Sequence, residues 1–395
     1  MSAPSADLAG DRDVIARAEA VRDAVAAASD EIEATRRLPP ELLDRLHEAR
    51  LFRLLLPCST EGIETDPVTF FHVIETIAKA DASTAWWLSQ AGGCAMSAAY
   101  LDLPVAQEVF ADPRAVLAWG PSPKVRAIES AGGYRVTGVW SFASGGRHAT
   151  WLGAHCPVYA PDGSPCRDVN GEQIERTMLV RTEDVEWTDI WSTVGLRGTA
   201  SDQFALNDVF VRTDHSITRE FDRECRESGP LYRMSNHTCY QIGFAGVACG
   251  IARSALDNFV DVARNKVPRG MKKTLRDNAV VQSGLAQAEV NLRAARAFLL
   301  QSMADIWQDL VAGHSITVAQ RMTIRMAATH AIHKAREAVD FAYSTAGATA
   351  IFDGHPLERR FRDIHTVTQQ LQGRFSHFET VGAWMLGVDA DLSLV

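Results

Sequence analysis

Little in this sequence marks a secreted, membrane or nucleic-acid-binding protein. The opening residues, MSAPSADLAGDRDVIARAEA, have no basic start, apolar core or small-residue cleavage site, so no secretory signal is expected. No stretch approaches the roughly 18 consecutive apolar residues that a membrane-spanning helix needs. Basic charge is in deficit: 40 Lys and Arg face 49 Asp and Glu, for a net charge of −9. A phosphate-binding surface needs clustered cations, so a nucleic-acid partner is not expected. Cysteine is sparse. The seven (Cys58, Cys94, Cys156, Cys166, Cys225, Cys239 and Cys249) are odd in number and scattered, with no C-x-x-C pair. That usage argues for reduced thiols in a cytoplasm and against a disulfide framework or a zinc site.

Familiar catalytic signatures are missing too. The chain has no serine nucleophile elbow, no G-x-x-x-x-G-K phosphate loop and no G-x-G-x-x-G dinucleotide turn. His330 and His333 lie three apart, but no acidic or cysteine pair completes a metal set, and no metal is expected. What remains is an ordinary soluble composition, 46% apolar and 23% charged, in a chain of 395 residues long enough for two or three structural layers.

Hydrophobic period divides the chain into three zones. Residues 1–115 read as helical. Residues 11–28 are Ala-rich, Pro39-Pro40 opens a helix over ELLDRLHEARLF, Asp66-Pro67 opens another over VTFFHVIETIAKA, and residues 82–99 form a buried helix weakened by Gly92-Gly93. In residues 116–232 the period falls to two, with strands expected over 116–119, 134–140, 149–156, 176–181 and 201–212. The polar segment 159–175 reads as a long hairpin loop. Helices return in 233–395: residues 240–260 carry Gly243, Gly246 and Gly250 on one face for close packing, and 274–311, 317–344 and 361–386 complete a four-helix bundle.

Three segments could carry chemistry. In YRVTGVWSFASGGRH (134–148) a strand ends in an aromatic residue, small hydroxyl residues and two glycines. This is either an ordinary strand-end turn or a hydrogen-bonding edge for a flat heterocycle. GLRGTASDQFALNDVFVR (195–212) offers a tight Gly195–Gly198 approach before a strand. AGATAIFDGHPLERRFRDIHTVTQQ (346–370) holds small residues, then the basic cluster Arg359, Arg360 and Arg362, which reads as a solvated face or an anion site.

Taken in this order, these segments resemble the acyl-CoA dehydrogenase superfamily, and within it the flavin-dependent monooxygenase branch, over nearly the whole chain. AKADASTAW (78–86) is similar to the segment before that family's substrate cavity. Trp140-Ser141-Phe142-Ala143-Ser144-Gly145 resembles its W-x-F-x-S-G flavin-edge turn, with His148 and Trp151 completing the monooxygenase form. LERRFRDIHTVT (357–368) resembles the C-terminal helix that contacts flavin from a neighbouring subunit. The resemblance implies a mainly α fold with a central, barrel-like β domain and a C-terminal four-helix bundle, assembled as a homotetramer. It further implies that Trp140, Ser141, Phe142 and Ser144 line the flavin, that Arg264 and Arg269 approach its phosphate, and that Gly347 and His365 face it from the bundle. Trp86 and Trp119 would border the substrate, with at least two of Trp86, Trp87, Trp119 and Trp140 serving the core.

The residues after Asp363 set the branch. Dehydrogenases of the family carry a glutamate base shortly after the R-D pair, where this sequence has Leu371. The monooxygenase branch instead brings reduced flavin to O2, forms a C4a-hydroperoxide and passes one oxygen to substrate. Reduced FMN is the expected cofactor, with FAD the alternative, delivered by a separate NAD(P)H:flavin reductase to act on a small aromatic or heteroaromatic compound. One departure stands out: Gln370 occupies the place of the branch's second histidine, and an amide cannot exchange a proton near neutral pH. His365, His377 or His148 would substitute, or an electron-rich ring such as indole would need no base. A dehydrogenase-type oxidoreductase and a non-catalytic flavin-binding protein remain the rival readings.

Overall fold

Helices occupy both ends of the chain and strands its middle, as the change of period predicts. The computed structural model describes residues 8–218 and 224–389, with side chains from residue 13. The N-terminal helices are α1 (Leu8–Thr35), α2 (Pro40–Glu48), α3 (Pro67–Ala80), α4 (Ala82–Ala95) and α5 (Leu103–Phe110). Their starts follow the sequence signals. Pro40 sits in the first turn of α2, and Asp66 caps α3 by accepting from Val68 N and Thr69 N.

The strands are β1 (Leu117–Gly120), β2 (Val125–Ser130), β3 (Gly133–Ala143), β4 (Trp151–Tyr159), β5 (Glu175–Arg181), β6 (Glu186–Thr188), β7 (Asp202–Arg212) and β8 (Ser216–Thr218). They join in the order β6-β7-β3-β2-β4-β5-β8, with β1 parallel to β4. Three of these, β2, β6 and β8, have no counterpart among the expected strands. Two are only three residues long, and β2 (VRAIES) has mixed exposure, so period two is weak there. The expected hairpin loop connects β4 to β5 and folds back on itself through the bridges Tyr159–Pro165 and Arg167–Gln173. Trp140, Phe204, Leu152 and Met178 fill the interior of the sheet.

The C-terminal helices are α6 (Asn236–Asn265), α7 (Ala279–Val311), α8 (Val318–Ala346), α9 (Pro356–Val367) and α10 (Ser376–Met385). The single helix expected over 361–386 is therefore two, separated by a turn over Leu371–Gly373. A side chain at Gly373 would stand 2.8 Å from Thr368 O, and the turn frees carbonyls for the bundle: Gly373 O accepts from His333 Nε2 at 2.8 Å.

Both helical zones share one apolar core, because α6 packs on α3 and α4 as well as on α8. The glycines of α6 make this approach close. A Cβ at Gly243 would lie 2.1 Å from Ser89 Oγ, and one at Gly250 would lie 2.5 Å from Ala78 Cβ and 2.6 Å from Glu75 O. The packing role read from sequence therefore holds at Gly243 and Gly250.

The basic cluster on α9 is neither a solvated face nor an anion site; it is a clamp. Arg359 binds Ser29 and Asp30 of α1. Arg360 is buried and donates to Ser254 Oγ and to the carbonyls of Lys79 and Ala80 at the end of α3. Arg362 pairs with Glu358 and Glu33 and reaches Val194 O. Beside them Asp363 Oδ1 accepts from Leu196 N at 2.7 Å. Burial pushes the Asp363 carboxyl up to about 7, against the opposing pull of the Leu196 N–H and Arg360 and with further upward push from Asp81 and Glu33.

Stability should respond at two of these positions. Gly250→Ala gains helix propensity but drives a methyl into backbone, and overpacking costs about 1–3 kcal/mol. Its urea midpoint should fall with an unchanged slope. For Asp363, the folded protein keeps a proton between about pH 4 and pH 7 that the unfolded chain has released. That contribution is complete below the unfolded pKa and is lost as pH rises through about 7. Thermal midpoints of the wild type should therefore fall relative to Asp363→Asn, which keeps the acceptor for Leu196, across pH 4–7 and level off above. Parallel curves would remove the assignment.

Candidate active site

The site begins where β3 stops being regular. Its pairing with β7 slips between Trp140 and Ala143, and Phe142 takes a φ of +62°. A left-handed conformation costs a non-glycine residue roughly 1–2 kcal/mol, and a bulge of this kind re-aims the side chains around it. Phe142 is thrown to the surface, 57% exposed, edge-on to Trp191 at 5.9 Å. Ser141 Oγ donates to Gln203 Oε1 at 3.3 Å, and Ser144 turns inward. Gly145 follows at φ +70°, where any Cβ would strike the Trp87 indole.

Ser144 is the meeting point of two arrangements. On one side is a row of hydroxyls. Ser144 Oγ lies 2.7 Å from Ser201 Oγ, Ser201 Oγ lies 2.7 Å from Thr199 Oγ1, and Thr199 Oγ1 donates to Leu196 O at 2.9 Å. On the other side Trp86 Nε1 donates to Ser144 Oγ at 3.1 Å. Trp86 stacks on Phe244 at 4.1 Å, and Phe244 stacks on Tyr240 at 5.6 Å. Gln90 Nε2 reaches Tyr240 OH at 3.4 Å.

Helical geometry explains this wall. Trp86 and Gln90 stand four apart on α4 and are its only residues not fully buried, so they mark its least buried edge. Tyr240 and Phe244 stand four apart on α6 and meet them across the helix pair. Gly93 makes room, since a Cβ there would sit 2.3 Å from the Tyr240 ring. Cys94 Sγ lies 3.5 Å from Tyr240 OH, and Trp119 borders both. Burial pushes the Cys94 thiol up to about 12 and the Tyr240 hydroxyl well above its ordinary value. Both stay protonated, and no carboxylate stands among these wall residues.

The other sequence candidates fall in different places. Trp140 has no exposed face: it stacks on Phe204 at 5.2 Å inside the sheet and donates to His155 O, so its ring packs in the core of the sheet. Arg264 and Arg269 are exposed, and Arg264 pairs with Asp261 at 3.0 Å. Between them Lys266, which sequence reasoning passed over, ties α6 to the end of α8 through Ala346 O and Thr349 Oγ1. Gly347 ends α8 at φ +60°, ψ −148°, a conformation open to glycine.

Among the proton-exchange candidates, His365 Nε2 is 2.8 Å from Asp340 Oδ1 of α8. Gln370 is partly buried, and its amide nitrogen has no partner. His377 is bonded to Thr329, and burial, with Arg325 and Arg374 nearby, lowers it to about 4. His148 packs on Trp87 at 5.3 Å with Nε2 unpartnered, lowered by burial and by Arg37.

Gln90, Tyr240, Phe244, Thr199, Ser201 and Trp191 were not singled out from sequence. The one available signal was the four-residue spacing of Tyr240 and Phe244 on a glycine-rich face. What the bulge and wall offer together is a set of ring faces at Phe142, Trp191 and Trp86 beside hydroxyl oxygens at Ser141 and Ser144. That donor set fits the edge of a flavin ring.

The chain matches two family descriptions: acyl-CoA dehydrogenase, N-terminal domain over residues 15–102, and acyl-CoA dehydrogenase, C-terminal domain over residues 242–373. It is 30% identical over 347 residues to the flavin-dependent monooxygenase oxygenase subunit HsaA of Rhodococcus jostii (strain RHA1), covering 85% of this chain and 88% of that one. It is 28% identical to indole-3-acetate monooxygenase of Pseudomonas putida over 98% of this chain and 96% of that one. The structure of XiaF from Streptomyces sp. in complex with FADH2 and glycerol superposes with a TM-score of 0.90 at 25% identity, covering 97% of each chain. With fold, segment order and relatives in agreement, the chain belongs to the acyl-CoA dehydrogenase superfamily, in its flavin-dependent monooxygenase branch.

Proposed function

We propose that this protein is the oxygenase component of a two-component monooxygenase that hydroxylates a small aromatic or heteroaromatic substrate, indole-type rings among them. The observation that carries the reading is the Trp86–Ser144 hydrogen bond, which joins an aromatic wall to the hydroxyl turn at the end of β3. A planar substrate is held by Trp86 and Phe244, its polar substituent by Gln90 and Tyr240. Reduced flavin, when bound, would supply the electrons that activate O2 for transfer of one oxygen atom to the substrate, the other leaving as water, and Ser141, Phe142 and Ser144 are the residues that would hold its ring.

The protein's own contribution is to orient and to exclude water. A wall without a carboxylate favours oxygen transfer over the removal of an α-proton, which needs such a base. It also suits an electron-rich ring that attacks without help. His365, steadied by Asp340, remains the candidate proton carrier, with Gln370 a hydrogen-bond donor five residues further on.

Reduced FMN or FAD is the cofactor in this reading, and the FADH2 held by XiaF favours giving FAD equal weight. A separate NAD(P)H:flavin reductase supplies it, as the name "oxygenase subunit" of the Rhodococcus relative suggests. A homotetramer would give Arg264, Arg269 and Gly347 a role toward a neighbouring copy's flavin. Seven free cysteines suit a cytoplasmic setting.

Stopped-flow absorbance decides the matter. Protein mixed anaerobically with reduced FMN or FAD, then with oxygenated buffer, should show a hydroperoxyflavin band that persists before oxidised flavin returns. Reoxidation at the rate of free flavin would favour the dehydrogenase or the non-catalytic alternative. Ser144→Ala removes a hydrogen bond that contributes about 0.5–1.5 kcal/mol. It should weaken reduced-flavin binding by at most about tenfold and divert turnover to H2O2, measured as product formed per flavin oxidised.

A further inference from the structure

The last helix is held to the bundle by very little apolar surface. Of α10 only His377 and Val381 are buried, while Trp384 and Met385 are exposed. It packs chiefly on α8, and the turn before it, Leu371–Gly373, packs mainly on the same helix. What fixes both pieces is polar. His333 Nε2 of α8 donates to Gly373 O at 2.8 Å, and its ring stacks on Phe375 at 4.0 Å. Thr329 Oγ1, one turn earlier on α8, donates to Gln372 O at 3.3 Å and lies 2.9 Å from His377 Nδ1. With the hydroxyl proton given to Gln372, His377 Nδ1 is the donor of the second bond.

Each ring therefore spends one N–H on its partner and keeps its other nitrogen bare. At His333 that nitrogen, Nδ1, is buried and faces no acceptor. A proton placed there would be an unpaired charge in the interior, which is costly. At His377 it is Nε2, and the charges that bear on this ring are the cations Arg325 of α8 and Arg374 of the turn. Around His333 stand His330, Arg336 and Glu337 of α8, of which the glutamate alone favours a proton. Burial lowers both rings, His377 to about 4, with these cations adding to it and Gly373 O pulling His333 the other way.

We propose that His333 and His377 form an acid-released latch: when they take up protons, the turn and α10 leave α8 while the rest of the bundle stays folded. A histidine freed from α8 binds its proton in water, with an ordinary pKa of about 6.5. Below that pH the released state gains a proton that the latched state refuses, and above it the latch holds in full. The window runs downward from about 6.5 to the value of about 4 at His377. Asp363 of α9 works in the opposite sense, because it keeps its proton when folded. Acid thus tightens α9 and loosens α10. The segment between them begins at Gln370, whose carbonyl accepts from Gly373 N at 3.0 Å.

Hydrogen exchange of the full-length protein, read by mass spectrometry at pH 7.5 and 5.5 and corrected for the intrinsic rate, tests the latch. Peptides covering residues 371–385 should open about tenfold more often at pH 5.5 for each histidine that titrates, while those of α6 and α9 keep their protection. His333→Gln and His377→Asn retain an N–H donor but take up no proton near neutral pH. Each should remove about tenfold of the response, and the double variant all of it. Wild-type protection over 371–385 that is the same at both pH values overturns the latch, as does a double variant that responds like the wild type. Protection lost equally across α6 and α9 overturns it too, since that is acid unfolding of the whole bundle. If the double variant fails to hold α10 even at pH 7.5, the single variants carry the test, and a full wild-type response in both is the overturning result.

Discussion

The backbone of Leu196 is gripped at both its N–H and its C=O, and the site depends on that grip. Its N–H is held by Asp363 of α9, and its carbonyl accepts from Thr199 Oγ1 and from Trp191 Nε1. Leu196 and Ala200 both lie in left-handed conformations, at φ +52° and +40°. Such residues cost of order 1–3 kcal/mol each and persist only where the surroundings over-determine them. Here the surroundings are α9 and its three clamped arginines. The bundle thus fixes a strained loop, the loop fixes a row of hydroxyls, and the row fixes Ser144.

The second constraint is dielectric. The wall from Trp86 to Tyr240 combines aromatic faces with groups that burial keeps neutral, Cys94 and Tyr240 among them. In such surroundings a hydrogen bond is stronger than in water, and an unpaired polar atom is costlier. The unpartnered nitrogens of Trp87 and His148, packed against each other behind the Gly145 turn, show that this region tolerates some of that cost. The strained residues Phe142, Leu196 and Ala200 near the end of β3 are thus held by surroundings that include the glycine contacts and arginine clamp of the bundle.

Much of this was legible in the sequence. The change of period located the sheet, Asp66 and the prolines marked helix starts, and the turn after β3 was identified with Ser144 in it. Trp140 was placed at the flavin by the family resemblance alone; here it is buried in the sheet and stacked on Phe204. The arginines of α9 read as a surface or anion feature because their partners, Ser29, Glu33 and Asp30, lie over 300 residues away along the chain. Gln90, Tyr240 and Phe244 escaped notice for the same reason. No local pattern announces that one face of α4 will meet one face of α6. The break between α9 and α10 was hidden because part of what holds it, the bond from His333 of α8 to Gly373 O, comes from far along the chain.

The shared core of the two helical zones bears on how the protein is made. Gln90 and Tyr240, which meet in the finished wall, are 150 residues apart in the chain. At synthesis rates of about 5–20 residues per second, roughly eight to thirty seconds separate their emergence from the ribosome. Throughout that interval the face of α3 that meets α6, Phe70 and Ile74 on it, lacks that helix. The sheet can fold while the nascent chain waits, but the helices before it cannot finish until α6 arrives. The order of the three zones in the gene thus sets a period of exposure that falls to chaperones to cover.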